Sequence, residues 1–310
     1  MQPDGTVRQL FIVGSPRTGS TLLRHVLNRS PQVCLASETH FLKSARRMKL
    51  GPRLASVAAA PAGERAAALE RVVRDLVGGR FWPWLARNVE PGRLNARLLA
   101  TDLSERALFD LLLQLYAEEQ CADRPVTIRG EKTPDHIYGL ETLAAWFPDA
   151  RFIHTFRDPR AIYASRIVRS EAGKRGMKAR LPGVPARLLD PLLAPLEVME
   201  TSRVWLDAAR LHRRHSAELA GRYRLVRFED LVTEPEATVR GVCEFIGIPF
   251  EPALLEETVV VGSSFEDERH AAAGFDPTSV DRWRSRVHPL VRRWFALVGR
   301  RELGRFGYEP

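Results

Sequence analysis

An α/β fold, with a central parallel sheet flanked by helices, is predicted by two features of this 310-residue sequence. The first is a short apolar run, residues 7–13, which leads through a turn rich in Gly, Pro, Ser and Thr into an apolar pattern of helical spacing. The second is the return of such runs at 126–129, 151–156 and 223–228, with helical patterns between them. That alternation places helices on both faces of the sheet and any ligand beyond the strands' carboxyl ends. The turns after 7–13 and 151–156 both emerge there.

The opening unit is Leu10-Phe-Ile-Val-Gly-Ser-Pro-Arg-Thr-Gly-Ser-Thr21. Gly14 to Gly19 form the turn, and Leu22, Leu23, Val26 and Leu27 mark one face of a helix. A strand, a tight polar loop and a helix start aim backbone N–H groups together at an anion. The spacing of Gly14 and Gly19 is that of the phosphate-binding loop G-x-x-x-x-G-K-[ST], so the fold class reads as P-loop NTPase-like. Ser20, however, stands where that loop carries Lys, and the nearby cation is Arg17, inside the loop. Without the lysine, triphosphate hydrolysis loses its main cation.

Further along, a short apolar strand at Val33-Cys-Leu precedes Ser37-Glu-Thr-His-Phe41. Helical patterns at 64–77 and 104–118 are broken by Gly78-Gly79 and Pro91-Gly92. Residues 44–120 read as a helical insertion over the active site, where Phe81, Trp82, Trp84 and Leu85 either line an acceptor pocket or pack one helix on the sheet. Glu131-Lys132-Thr-Pro134 follows a strand at Val126-Thr-Ile128. After the strand Arg151–Phe156 comes Arg157-Asp-Pro-Arg, with Pro159 suited to the first turn of a helix and Ser165 two turns along it. Residues 171–195, rich in Gly, Pro, Lys and Arg, read as a substrate loop or lid. A strand, Glu229-Asp230-Leu231 and a helix over Ala237–Ile246 follow, then a loop from Gly262 to Gly274 that feeds Ser279-Val-Asp-Arg-Trp-Arg284.

In that order, these segments resemble sulfotransferases that use 3′-phosphoadenosine 5′-phosphosulfate (PAPS), of the bacterial type, with motif similarity to protein-tyrosine and heparan sulfate sulfotransferases. The resemblance touches residues 10–41, 126–166, 223–250 and 279–284, and makes the chain one sulfotransferase domain over 1–310. It implies that Arg17, backbone N–H groups from Thr18 through Gly19 to Thr21, and the Ser20 and Thr21 hydroxyls hold the 5′-phosphosulfate. It implies that Arg157 and Ser165 hold the 3′-phosphate, where a guanidinium fork and a hydroxyl grip a dianion. Arg282 is then a late cation on the phosphates, and Trp283 shields adenine or packs. In many relatives a Tyr precedes the E-D-L unit; here it is Phe228, and no phenol contact carries over.

The resemblance also bears on the chemistry. Sulfuryl transfer needs in-line attack, removal of one proton and cations around the sulfur. Glu38-Thr-His40-Phe41 reproduces the E-x-H-F arrangement of the heparan enzymes, which makes Glu38 the base, with His40 as competitor. Lys132 is placed beside acceptor and sulfate.

Composition sets the remaining limits. The net charge is +9, from 47 basic and 38 acidic residues, which suits an anionic substrate. Apolar residues make up 45%, and no run reaches the ~18–20 apolar residues of a membrane span. No aromatic-interleaved basic stretch marks a nucleic-acid module, so no nucleic acid is expected. Met1-Gln-Pro-Asp-Gly lacks a signal pattern, so a cytoplasmic enzyme is expected. Cys34, Cys121 and Cys243 are odd in number and far apart, so they read as reduced thiols, and no metal-ligand spacing is present. The expected reaction is sulfuryl transfer from PAPS to a hydroxyl of a small molecule, glycan or lipid, without a metal. The alternatives are a tyrosyl-peptide sulfotransferase, a P-loop kinase or NTPase, and a non-catalytic anion-binding protein.

Overall fold

β1 (Arg8–Gly14) is apolar and buried from Leu10 onward, as the opening run predicts. In the computed structural model it lies at the middle of a five-stranded sheet of order β2-β3-β1-β4-β5. The other strands are β2 (Val33–Ala36), β3 (Ile128–Lys132), β4 (Arg151–Phe156) and β5 (Tyr223–Arg227). The pairings of β3 with β1 and β2, and of β5 with β4, are parallel. The structure describes residues 7–78, 82–167, 186–256 and 275–309, with 186–194 as backbone only. Phe81, most of the segment 171–195 and the loop 262–274 lie outside the described residues.

The chain divides into two compact units: Met1–Ile12 with Leu27–Arg151, and Val13–Val26 with Phe152–Pro310. In the first, helices α2 (Phe41–Met48), α3 (Leu50–Ala59), α4 (Ala62–Gly78), α5 (Pro83–Asn88), α6 (Pro91–Leu99) and α7 (Glu105–Gln120) follow β2. The predicted helical patterns at 64–77 and 104–118 are α4 and α7. Ser104 starts α7 by accepting a hydrogen bond from the Ala107 N–H, which satisfies one of the helix's orphan donors. The core is aromatic: Phe109 stacks on Phe41 at 4.5 Å and on Phe11 at 6.0 Å. Trp82 and Leu85 are buried, and Trp82 stacks with Tyr116 at 5.7 Å, so these two pack rather than open onto solvent. Helix α8 (Leu140–Trp146) closes the unit before β4.

Two expectations need correction here. β3 runs over Ile128–Lys132, not 126–129, so Glu131 and Lys132 end the strand rather than follow it. The Thr127 and Ile128 N–H groups both go to Gln32 O, and the polar end of the strand is carried inward because Glu131 and Lys132 find side-chain partners. Cys34 and Cys121, read as reduced thiols, form a disulfide joining β2 to the C-terminus of α7. Eighty-seven residues separate them in sequence, and only the fold brings them together. Cys243 is free and buried.

In the second unit, α1 (Ser20–Asn28), whose last two residues belong to the first, opens directly from the glycine turn. Residues 159–167 form α9, beginning at Pro159 as expected. α10 (Ala186–Glu218) already begins within the segment read as a loop, and neither Pro191 nor Pro195 ends it. α11 (Phe228–Thr233), α12 (Pro235–Ile246), α13 (Arg282–Arg286) and α14 (Pro289–Arg305) complete the unit. Its cores gather Phe156, Trp205 and Phe306 on one side, and Tyr163, Trp283 and Phe295 on another.

Candidate active site

The loop between β1 and α1 is shaped by backbone conformations that few residues adopt. Gly14 has φ 141° and Gly19 has φ 81°. A Cβ on Gly14 would meet Thr155 O at 2.4 Å, and one on Gly19 would meet the Phe228 ring at 2.5 Å. Between them Arg17 is left-handed at φ 75°, a conformation costly for a side-chain-bearing residue unless its surroundings impose it. They do. The Arg17 Nε donates to Ser165 Oγ at 2.8 Å, and the Arg17 carbonyl accepts from Arg157 Nη1 at 3.2 Å. The loop and the R-D-P…S element, 140 residues apart, are thus hydrogen-bonded to each other.

Arg157 is partly buried, and desolvation holds its guanidinium down to about 10, still charged at neutral pH. It lies 3.8 Å over the Phe228 ring and donates Nη2 to Ser279 O at 3.0 Å. Its Nε is buried and finds no partner among the described residues. The residues around it hold its backbone from both sides: Trp205 Nε1 donates to the Arg157 carbonyl, and the Asp158 N–H donates to Glu229 Oε1, each at 3.0 Å. Glu229 in turn accepts from the Tyr308 hydroxyl at 2.9 Å, and burial raises its pKa. Asp158 caps α9 by accepting from the Arg160 N–H at 2.7 Å. Arg17, Arg157, Ser165, Phe228, Arg282 and Arg286 border one cleft of about 140 Å³. Phe228, whose missing phenol marked the departure from relatives, is the platform under Arg157 and the wall beside Gly19.

The remaining residues expected at the donor are placed as follows. The Thr18 hydroxyl is turned inward onto Ser15 O and Thr155 Oγ1, both at 2.7 Å, which leaves only its backbone N–H for a ligand. Ser20 is buried and Thr21 half-buried at the start of α1, where the first N–H groups have no intrahelical partner. Arg282 is exposed, paired with Asp276 and hydrogen-bonded to Thr278 Oγ1 at 3.1 Å. Trp283 is buried in the core, with Arg160 stacked on it at 4.1 Å, and also borders the cleft.

The first unit holds a second constellation. Lys132, almost fully buried, pairs with Glu38. Glu38 Oε2 lies 3.2 Å from His40 Nε2, and His40 Nδ1 lies 3.1 Å from Asp135 Oδ1. Burial pushes the Glu38 carboxyl up, but hydrogen bonding to His40 and the Lys132 charge outweigh it and hold it at about 2. Hydrogen bonds to Asp135 and Glu38 raise His40 to about 10.

A buried pair beneath supports this loop. Glu131 Oε1 and His136 Nδ1 lie 2.5 Å apart. Glu131 Oε2 accepts from the Thr39 N–H at 3.3 Å, and His136 Nε2 accepts from the Leu42 N–H at 3.3 Å. The Thr39 N–H also reaches Thr133 Oγ1 at 3.1 Å. These bonds secure the loop around His40, which is left-handed at φ 52°. Asp135, Glu131 and His136 were not singled out from sequence, although all three sit within or beside the E-K-T-P stretch. Trp205 and Tyr308, far from any motif, left no such signal.

Comparison with known proteins converges on one family. Residues 9–252 match the model of a sulfotransferase family. The chain is 25% identical over 309 residues to protein-tyrosine sulfotransferase 1 of Danio rerio, across 97% of this chain and 72% of that protein. It is 37% identical over 169 residues to carbohydrate sulfotransferase 6 of Homo sapiens, across 53% of this chain and 40% of that protein. The fold matches the sulfotransferase domain of the Synechococcus PCC 7002 olefin synthase with TM-score 0.57 at 22% identity, covering 100% of this chain and 98% of the domain. The chain therefore belongs to the sulfotransferase family, transferases whose general reaction moves a sulfuryl group from PAPS to a hydroxyl acceptor.

Proposed function

We propose that this chain, read as one catalytic domain with 44–120 as a helical insertion, itself uses PAPS as donor and that Glu38 takes the proton from the acceptor hydroxyl. The observation that carries the donor assignment is the mutual hydrogen bonding of the Arg17 loop and the Arg157–Ser165 element around one arginine-lined cleft. The residues fit such a ligand: the buried Arg157 Nε lacks a partner among the described residues, and the glycine loop leads directly into the start of α1, whose first N–H groups have no intrahelical partner. When bound, PAPS supplies a sulfuryl group on a phosphate leaving group.

Arg157 and Ser165 would grip the 3′-phosphate. Arg17, Gly19 and the N–H groups and hydroxyls at Ser20 and Thr21 would hold the 5′-phosphosulfate, with Thr18 contributing backbone only. Arg282 would add charge at the rim, and Trp283 would border the base. Lys132, a compact buried ammonium, would stabilise charge on sulfate oxygens. Its protonated ring gives His40 no lone pair for a proton, whereas Glu38 is ionised. Glu38 is therefore assigned as base and His40 as the group that orients it. A carboxylate held at about 2 is a weak base, so the proton moves late, as the acceptor oxygen bonds to sulfur and becomes acidic. The E-x-H-F and E-K-T-P stretches, with relatives named for tyrosine and carbohydrate, favour a hydroxyl on a glycan or a tyrosyl peptide over one on a steroid or a small-molecule phenol. A cytoplasmic, metal-free enzyme is part of the same reading.

Titration with adenosine 3′,5′-bisphosphate tests the donor site. Wild type should bind, and Arg157→Ala should bind far more weakly with an unchanged fold. Equal affinity for the two would overturn the assignment.

A further inference from the structure

Seven large apolar side chains are exposed among the described residues, and six of them lie on two helices in mutual contact, α10 and α14. On α14, Leu290, Trp294, Leu297 and Val298 follow helical spacing along one outward stripe, with Leu297 76% and Leu290 68% exposed. The opposite stripe, Phe295, Gly299 and Leu303, is buried in the protein. Leu196 and Met199 of α10, each about 60% exposed, extend the patch. The Trp294 indole N–H is already satisfied by Ser202 Oγ at 3.0 Å, so its exposed edge carries no unmet donor. Such a concentration of bare hydrocarbon marks a surface that meets something.

Charge identifies the occupant. α14 carries five arginines against a single glutamate, Glu302, which is already engaged by Arg213 and Arg305. Arg293, Arg300, Arg301 and Arg305 are all exposed. Glu197 and Glu200, the carboxylates next to Leu196 and Met199 in sequence, are held by Arg166 and Arg203. A second copy docking by this face would set arginines against arginines. An anionic lipid surface satisfies both halves: the apolar stripe enters the interface, and the arginines meet the headgroups. No helix among the described residues is long and apolar enough to cross a membrane, so the contact is peripheral. We propose that the α10–α14 face docks this enzyme on anionic membrane surfaces, with Leu290, Trp294 and Leu297 inserted and Arg300 and Arg301 on the headgroups.

Co-sedimentation with vesicles tests this independently of donor binding. The full chain should partition at least about tenfold more onto phosphatidylcholine vesicles containing about 30% phosphatidylglycerol than onto phosphatidylcholine alone, and high salt should release it. Leu297→Glu, and separately Met199→Glu, should each cut binding at least about tenfold, and Arg301→Gln about fivefold, with bisphosphate affinity intact as the sign of a folded protein. Equal partition onto neutral and anionic vesicles, or undiminished binding by both glutamate variants, overturns the proposal. So does a concentration-dependent dimer that Leu297→Glu abolishes, which would assign the face to a second copy.

Discussion

The two constellations of charged residues in this chain are built on opposite principles. The described lining of the cleft around Arg157 holds four arginines and no carboxylate: burial lowers Arg157 to about 10, and its buried Nε–H has no partner among the described residues. The Glu38 cluster is neutralised internally, with Lys132, Glu38, His40 and Asp135 alternating in sign, so that pairing drives Glu38 to about 2 and His40 to about 10. In the proposed function, that lining receives its anion from the donor. A site already balanced holds its protons in a fixed pattern and responds only when a member is disturbed. The same contrast extends to covalent structure, since the disulfide belongs to the unit holding Glu38, while the free Cys243 belongs to the unit holding Arg157.

The sharpest way to break this contrast is Glu38→Gln. Turnover should fall by about 10²–10⁴-fold while bisphosphate affinity holds, because the variant removes the proposed base and none of the arginines of the cleft. Steady-state kinetics with calorimetry would show it, and wild-type turnover would move the base elsewhere. Next is reduction of Cys34–Cys121, or Cys34→Ser. Closing an 87-residue separation contributes about 4–5 kcal/mol in the chain-entropy picture, so hydrogen exchange should accelerate in residues 27–151 and much less in 152–310. Thiol titration of the denatured, unreduced chain should count one free cysteine. A count of three would restore the reduced-thiol reading that suits a reducing compartment.

Arg157→Ala should weaken bisphosphate binding about 10–100-fold, the range for charge-assisted hydrogen bonds, and Ser165→Ala about fivefold, with turnover at saturating donor reduced less. Smallest is the pH response. Glu38 is depressed, so its contribution to stability is complete above its ordinary 4.5 and is lost as pH falls toward 2. His40 is raised, so its contribution is complete below its ordinary 6.5 and is lost as pH rises toward 10. From this pair, denaturant midpoints should be highest between 4.5 and 6.5. In His40→Gln the alkaline decline should shrink, and the acid limb of turnover should move up from about 2, since Glu38 loses its first hydrogen-bond partner while burial remains. An unmoved limb would mean that another group sets the profile.

Legibility followed the range of the interactions. The glycine turn, the R-D-P element and the helices α4 and α7 were visible because each rests on local spacing: turn residues, a proline at a helix start, an apolar face every three or four positions. β3 was misplaced by its polar end, because Glu131 and Lys132 look like loop residues until His136 and Glu38 are seen opposite them. The disulfide was invisible for the same reason, since nothing near Cys34 points to Cys121. Phe228 was noted only for what it lacks, and its position under Arg157 and against Gly19 gives it a positive role.

What the sequence determined by itself is the set of chemical parts: a glycine loop with Ser20 at the P-loop lysine position and Arg17 as its cation, a forked cation at 157, and a carboxylate at 38 beside a histidine. Backbone conformation and residue type are local properties, and they survive reading one stretch at a time. Only tertiary structure decided which part meets which. It hooked Arg17 to Ser165, held Arg157 between Trp205, Glu229 and Phe228, and set the charge states of Glu38 and His40 through Lys132 and Asp135. Burial and electrostatic coupling depend on distances through space, which no spacing along the chain records.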